Sequence, residues 1–183
     1  MLILIVGPSG AGKDTLMNGA QERLGGNPRY RFVRRIITRP GDMGEEAHDS
    51  ATEQEFEARR QGGEFALTWR AHGLHYAIPA DIALDLAQGR AVIANVSRAV
   101  VGEAAARFPV SVIEVSAPAD LLARRLAARG REDAVDVARR LSRAIELPLP
   151  VDRHSVVNDG TVDQGVRRLL AAISRATGDA PPA

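Results

Sequence analysis

The chain has 183 residues, 45% of them hydrophobic, 24 basic and 23 acidic, for a net charge of +1. That length and apolar content suit one globular domain, and the near-neutral balance excludes a polyelectrolyte surface for nucleic acid or anionic membrane. There is no cysteine, which excludes disulfides and thiolate metal sites. Among the 24 basic residues Lys13 alone is lysine, all others being arginine. A compact ammonium enters a cradle of backbone N–H groups that a planar guanidinium fork does not fit.

The elements alternate along the chain. Leu2–Val6 is an unbroken apolar run, the pattern of a strand buried on both faces of a parallel sheet. It has neither the basic start nor the cleavage site of a signal peptide. No apolar run approaches the roughly 20 residues of a membrane span, so the expected location is cytoplasmic. Residues 7–12 are turn material, and Lys13 to about Leu24 reads as a helix ended by Gly25-Gly26-Asn27-Pro28. Residues 30–78 break the rhythm with a basic strand (Phe32–Thr38), a polar loop (Gly41–Ser50), a short helix (Thr52–Arg60) and a hairpin (Phe65–Ala71 with Leu74–Ile78). Core strands are predicted at 91–96, 110–115 and 155–158, and helices at 80–88, 99–107, 119–129, 135–147 and 162–176. Strands alternating with helices predict an α/β fold with a parallel sheet covered on both faces. The predicted organisation is one domain over 1–183. Its core is 1–29 and 79–177, its insertion 30–78, and its arginine-dense segment about 124–143; residues 178–183 read as a disordered tail.

The chemistry concentrates after the first strand. Gly7-Pro8-Ser9-Gly10-Ala11-Gly12-Lys13 has the spacing of a phosphate-binding loop, between a buried strand and a helix. Glycines let successive N–H groups turn inward around a β-phosphate, and the helix aims its positive end there. Lys13 reaches the β- and γ-oxygens, so ATP is the expected co-substrate. The next position departs from the pattern. Asp14, followed by Thr15, stands where a serine or threonine normally meets Mg²⁺. Asp14 either binds Mg²⁺ as a hard oxygen donor or only favours the helix N-terminus; Thr15 is a weaker second metal candidate.

The ordered set of motifs carries a resemblance over roughly residues 2–175. It comprises the phosphate loop through Thr15, Ile37-Thr38-Arg39-Pro40, Gly44-Glu45, Glu55-Phe56, Gly63-Glu64-Phe65, His72-Gly73, Tyr76 and Pro79. It continues with Arg125-Leu126, Arg129-Gly130, Arg139-Arg140-Leu141 and Val157-Asn158-Asp159. The chain resembles the guanylate-kinase-like P-loop kinases, and within them the ribose 1,5-bisphosphate phosphokinase branch of phosphonate metabolism. The Lys-Asp-Thr ending of the loop and the segment Trp69–Tyr76 are typical of that branch. The resemblance implies a P-loop NTPase-type three-layer fold with an acceptor-binding insertion and an arginine-rich lid. It implies that Arg125, Arg129 and Arg140 bridge donor and acceptor phosphates, and that Asn158 contacts adenine. Phosphoryl transfer runs on positioning and cationic stabilisation, which suits arginines there; the competing reading puts them on solvated helix faces paired with acids.

Departures from the guanylate kinase pattern bear on the acceptor. The positions that read guanine in that family fall on Leu67, Ile78 and Asn95. Apolar side chains cannot accept hydrogen bonds from a base edge, and each unpaired buried group costs about 1–3 kcal/mol. Arg39 and Tyr76 match phosphate-holding positions, while the second arginine falls on Asp42. Arg35, Arg39, His72, Tyr76 and Arg98 are the acceptor-binding candidates, with Arg34 and His75 as neighbours. Adjacent strand residues face opposite ways, so only one of Arg34 and Arg35 faces the site. Trp69 reads as core. The implied acceptor is ribose 1,5-bisphosphate, giving phosphoribosyl diphosphate. Two alternatives are a nucleoside-monophosphate kinase and a non-catalytic guanylate-kinase-like binding module; the intact loop and the arginines oppose the latter. The resemblance also admits a homodimer, and no segment marks a dimer face.

Overall fold

The computed structural model describes residues 1–39, 48–128 and 151–179. Its core is a five-stranded sheet in the order β2-β7-β1-β8-β9, formed by Leu2–Val6 (β1), Tyr30–Phe32 (β2), Ala91–Asn95 (β7), Val110–Ser116 (β8) and Asp152–Val157 (β9). Every pairing is parallel. β1 is central, and all five of its residues are fully buried. Ile3 and Ile5 face one core layer, closed by Leu16, Met17 and Ala20 of helix α1 (Lys13–Leu24) and by Val166, Leu169 and Ile173 of the last helix, α6 (Val162–Thr177). Leu2, Leu4 and Val6 face the other layer, with Ile82 of α3 (Ile82–Ala87) and Val101 and Ala104 of α4 (Val101–Arg107). The strand lacks apolar/polar alternation because both its faces are interior.

α6 shows how local signals agree with packing. Thr161 caps it through a reciprocal box with Gln164, Val166, Leu169, Leu170 and Ile173 recur at helical spacing on the buried side, and Gly178 closes it at φ 72°. Gly19 and Gly165 let α1 and α6 approach closely, since a Cβ on Gly19 would lie 2.6 Å from Val166 Cγ2. Gly178 and Asp179, predicted as the start of a disordered tail, belong to the fold. Asp179 accepts from Tyr30 Oη at 2.7 Å and from Arg29 Nε at 2.7 Å.

A second sheet, β4-β3-β6-β5, carries the predicted insertion: Arg35–Ile37 (β3), His48–Ser50 (β4), Phe65–Ala71 (β5) and Leu74–Pro79 (β6). Helix α2 (Glu53–Gln61), capped by Thr52 and Glu55, packs Phe56 on one face against Ile36 and Ala77. Leu67 and Ile78 are buried in the core layer below β1.

Three predicted boundaries change. The single basic strand Phe32–Thr38 is two strands: Tyr30–Phe32 pairs with β7 in the core sheet, and the last bond of that ladder is Val33 N to Ile93 O at 2.9 Å. Beyond Val33 the chain leaves β7 and Arg35–Ile37 joins the second sheet, so the insertion starts after β2, not at residue 30. β9 begins at Asp152, three residues before the predicted strand, because its first half is polar. As an edge strand it tolerates charge on both sides, and Ser111 Oγ donates to Asp152 at 2.8 Å. The predicted helix 99–107 starts as a 3₁₀ turn, Arg98–Val100, capped by Ser97. The predicted helix 135–147 and most of the polar loop lie outside the described residues.

Candidate active site

All five core strands end on one side, where the chain leaving β1 runs toward β2 and the chain leaving β7 crosses to β8 on the other half of the sheet, which opens a crevice for ligands. The phosphate loop emerges there from β1. Gly7 adopts φ 147°, and a Cβ on it would sit 2.0 Å from the Val115 carbonyl oxygen, so the loop passes flush against β8. Gly10 and Gly12 have φ 82° and 83°, which side chains rarely adopt. Gly12 is the N-cap of α1, and no side chain caps that end, so the helix presents its first N–H groups to the loop. Lys13 Nζ donates to the carbonyls of Gly7 (2.8 Å) and Pro8 (3.0 Å), folding the ammonium over the loop.

Two residues from distant elements brace this loop. Asn158, at the end of β9, is buried; its Nδ2 donates to Ala11 O at 2.8 Å and its N–H to Ser116 O at 2.7 Å. One N–H of its amide is therefore engaged with the loop backbone. Arg125, on α5 (Ala119–Ala128), donates through Nη1 to Gly10 O and through Nη2 to Asn158 O, both at 3.3 Å. The lid candidates Arg129 and Arg140 lie outside the described residues.

Asp14 is partly exposed in the first turn of α1, whereas Thr15 is exposed. Asp14 Oδ1 accepts from Asn95 Nδ2 at 2.6 Å and lies 3.9 Å from Arg35 Nη2. Asn95 ends β7 and is buried, and its Oδ1 has no hydrogen-bond partner among the described residues. Asp14, Asn95 and Arg35 line one cleft together with Met17 and Gln21.

Arg35 resolves the choice between adjacent arginines. Its side chain is 11% exposed and lies over the Tyr76 ring at 5.5 Å, whereas Arg34 turns outward to Asp49 at 3.0 Å. Tyr76 stacks on Trp69, centroids 5.4 Å apart and planes 9° apart, and Trp69 also packs against the core layer. The result is a guanidinium–Tyr–Trp column linking the second sheet to the phosphate loop. Arg39 Nη2 lies 3.4 Å from His48 Nδ1, and its Nε is buried without a hydrogen bond among the described residues. His72 has φ 53° in the two-residue turn His72-Gly73 and is exposed at the tip of the β5–β6 hairpin. Gly73, Leu74 and His75 separate it along the chain from Tyr76.

Arg98 is ion-paired with Glu114 of β8, which also holds Arg153. Burial alone would raise the Glu114 carboxyl; the hydrogen bond from Arg153 and the charges of Arg98 and Arg153 overcome it and hold the group below the usual glutamate range. The sequence reading passed over Glu114. Its signal was a lone carboxylate inside the apolar run Val110–Val115, near the functional end of a buried strand.

The site presents a glycine loop, a lysine, a carboxylate and a guanidinium within one crevice. Among the described residues no cluster of three or more His, Cys, Asp or Glu can hold a metal by itself. Asp14 with a neighbouring buried acceptor fits Mg²⁺ of the kind that is held by one or two carboxylates plus nucleotide phosphates. No helix of the described residues is long and apolar enough to cross a membrane.

Residues 2–148 match the AAA domain family. The chain is 46% identical over 180 residues to the ribose 1,5-bisphosphate phosphokinase PhnN of Acidiphilium cryptum, covering 98% of this chain and 95% of that protein. It is 47% identical over 175 residues to a bifunctional ribose 1,5-bisphosphokinase-thymidine phosphorylase of Cupriavidus necator, covering 94% of this chain and 29% of that protein. The chain thus spans less than a third of the length of these bifunctional relatives. Among solved structures, guanylate kinase from Anaplasma phagocytophilum superimposes with a TM-score of 0.74 at 15% identity, covering 100% of this chain and 88% of that one, a likeness of fold.

Proposed function

The chain belongs to the ribose 1,5-bisphosphate phosphokinase family, with a guanylate-kinase-like fold, and on that premise we propose that it phosphorylates ribose 1,5-bisphosphate with ATP. A 1-phosphate oxygen of the acceptor forms a bond to the γ-phosphorus as the bond from that phosphorus to the β–γ bridging oxygen breaks. The products are 5-phospho-α-D-ribosyl 1-diphosphate and ADP. The acceptor oxygen is already ionised, so no general base is required, and the protein's task is to position two anions and neutralise the charge between them. The relationship over nearly the full length of single-domain relatives carries this reading.

The loop amides hold the β-phosphate, and Lys13 moves from the Gly7 and Pro8 carbonyls to the β/γ-oxygens. Arg125 keeps the loop and the Asn158 turn in register while one guanidinium face remains near the phosphates; Arg129 and Arg140 complete the cationic lid. Arg35, over the Tyr76 ring, Arg39, and Arg98, paired with Glu114, bind acceptor phosphate. Asp14 would hold Mg²⁺, which would shield the phosphate charges of bound ATP. Leu67 and Ile78 dock the second sheet on the core, which removes the polar groups a guanine would need. A cytoplasmic setting fits these substrates.

The test offers Mg²⁺-ATP with ribose 1,5-bisphosphate, GMP, AMP or no acceptor, following ADP and phosphorylated product. ADP and phosphoribosyl diphosphate are expected with the bisphosphate alone. Preferred turnover of GMP or AMP would overturn the reading.

A further inference from the structure

In the guanylate-kinase-like pattern a hydroxyl residue follows the loop lysine and an aspartate ends the strand that reaches the site. Here the loop position carries a carboxylate and the strand end a neutral amide. The carboxylate is Asp14, on the first turn of α1, and the strand end is the neutral Asn95. The two side chains meet: Asn95 Nδ2 donates to Asp14 Oδ1 at 2.6 Å. The amide orientation follows from this contact, because the reversed amide would set two acceptors against each other.

Three further observations define what Asn95 does. It is buried, 5% exposed, so its amide is held by the sheet and cannot follow a wandering carboxylate. Asn95 Nδ2 and Arg35 Nη2 both approach the same oxygen of Asp14, Oδ1. And Asn95 Oδ1 is itself a buried acceptor without a hydrogen bond among the described residues. A buried acceptor of that kind costs stability unless a donor arrives. A hydrated divalent cation brings such donors, since Mg²⁺ keeps several of its waters.

We propose that Asn95 is a positioning residue for the metal carboxylate: its Nδ2 fixes Asp14 through Oδ1, and its Oδ1 accepts from the water shell of the nucleotide-bound divalent cation. Asp14 supplies a negative charge at this site, and the neutral Asn95 beside it adds no second one. Two carboxylates at this separation in a partly buried site would repel. The inference rests on the proposed use of Mg²⁺-ATP, not on the identity of the acceptor.

The test measures Mn²⁺ affinity of the protein–ADP complex by electron paramagnetic resonance, together with metal-free ADP affinity by calorimetry. No acceptor is present, so a wrong acceptor assignment leaves the outcome untouched. Asn95→Ala is expected to weaken Mn²⁺ about tenfold or more, in the range of partners that orient metal ligands, with metal-free ADP affinity unchanged within about twofold. Asn95→Ser, which keeps a donor and an acceptor at smaller reach, recovers part of the loss and carries the test where the alanine variant fails to fold. In an Asp14→Ala background, Asn95→Ala costs far less than in the parent. Unchanged Mn²⁺ affinity overturns the proposal. So does an equal loss of metal-free ADP binding, or the same factor with and without Asp14.

Discussion

Asn158 Nδ2 donates to the Ala11 carbonyl across 2.8 Å, joining the end of the last core strand to a loop 147 residues earlier. The contact is fully interior: a Cβ on Gly12 would lie 2.5 Å from Asn158 Nδ2, and one on Gly165 would lie 2.9 Å from Asn158 Oδ1. Nothing else of that size and polarity fits. Asn158→Ala leaves the Ala11 carbonyl without its donor, at a cost of about 1–3 kcal/mol. Loop and helix then lose a common anchor, so KM for ATP rises more than KM for the acceptor. Urea unfolding and steady-state kinetics with each substrate varied check both. A variant as stable as the parent would show that the contact is idle.

Lys13 is the lone lysine in a chain of arginines, and its ammonium already rests on two loop carbonyls. Replacement by alanine removes charge aimed at the transferred group and leaves the hydrophobic core intact, since the side chain contributes none of it. Turnover is expected to fall by at least about a hundredfold, the scale of losing one transition-state electrostatic contact, with the unfolding midpoint nearly unchanged. Lys13→Arg is expected to fail almost as badly, because a planar fork does not occupy the place of a point charge. Retained activity in either variant would remove Lys13 from the reaction.

Much of this arrangement is legible in the sequence because it rests on short-range signals. The buried central strand, the glycine loop and the amphipathic last helix each follow from local pattern and backbone restriction. The hairpin register follows from the two-residue turn His72-Gly73, which sets Trp69 opposite Tyr76. The remainder depends on long-range pairing. Phe32–Thr38 reads as one strand because its pattern carries no mark of where β7 stops offering a partner. Asn158 reads as a base contact by resemblance, whereas its burial against Ala11 is set by strands far apart in the chain. The Glu114–Arg98–Arg153 group is invisible to periodicity, because three elements supply its members.

Arg35 lies over the Tyr76 ring while its Nη2 approaches Asp14, so it stands between the second sheet and the phosphate loop. Arg35→Met preserves most of the packing on the ring and removes the charge. Charge-assisted hydrogen bonds are worth about 1.5–3 kcal/mol, so KM for the bisphosphate should rise by about one to two orders of magnitude, with a smaller change in KM for ATP. Arg34→Met, on the outward side and paired with Asp49, should change neither appreciably. Equal effects of the two variants would show that Arg35 acts only as bulk charge.

Glu114 gives the fold an acid limit of known sign. Its carboxyl is held below the ordinary value of 4.5 by Arg153 and Arg98 against the opposing effect of burial. The unfolded chain therefore takes up a proton there before the native state does. The stabilisation is fully present above pH 4.5 and is lost as pH falls through the lower native value. Asp159 and Asp163, lowered by Arg168 and Arg23, add in the same direction. The thermal midpoint should be flat between about pH 7 and 5 and decline below about 4.5. Glu114→Gln should start lower at pH 7, because Arg98 and Arg153 lose their shared counter-charge, and should decline less steeply in acid. The two curves should converge; curves that stay parallel down to pH 3.5 would show that Glu114 does not set the acid limit.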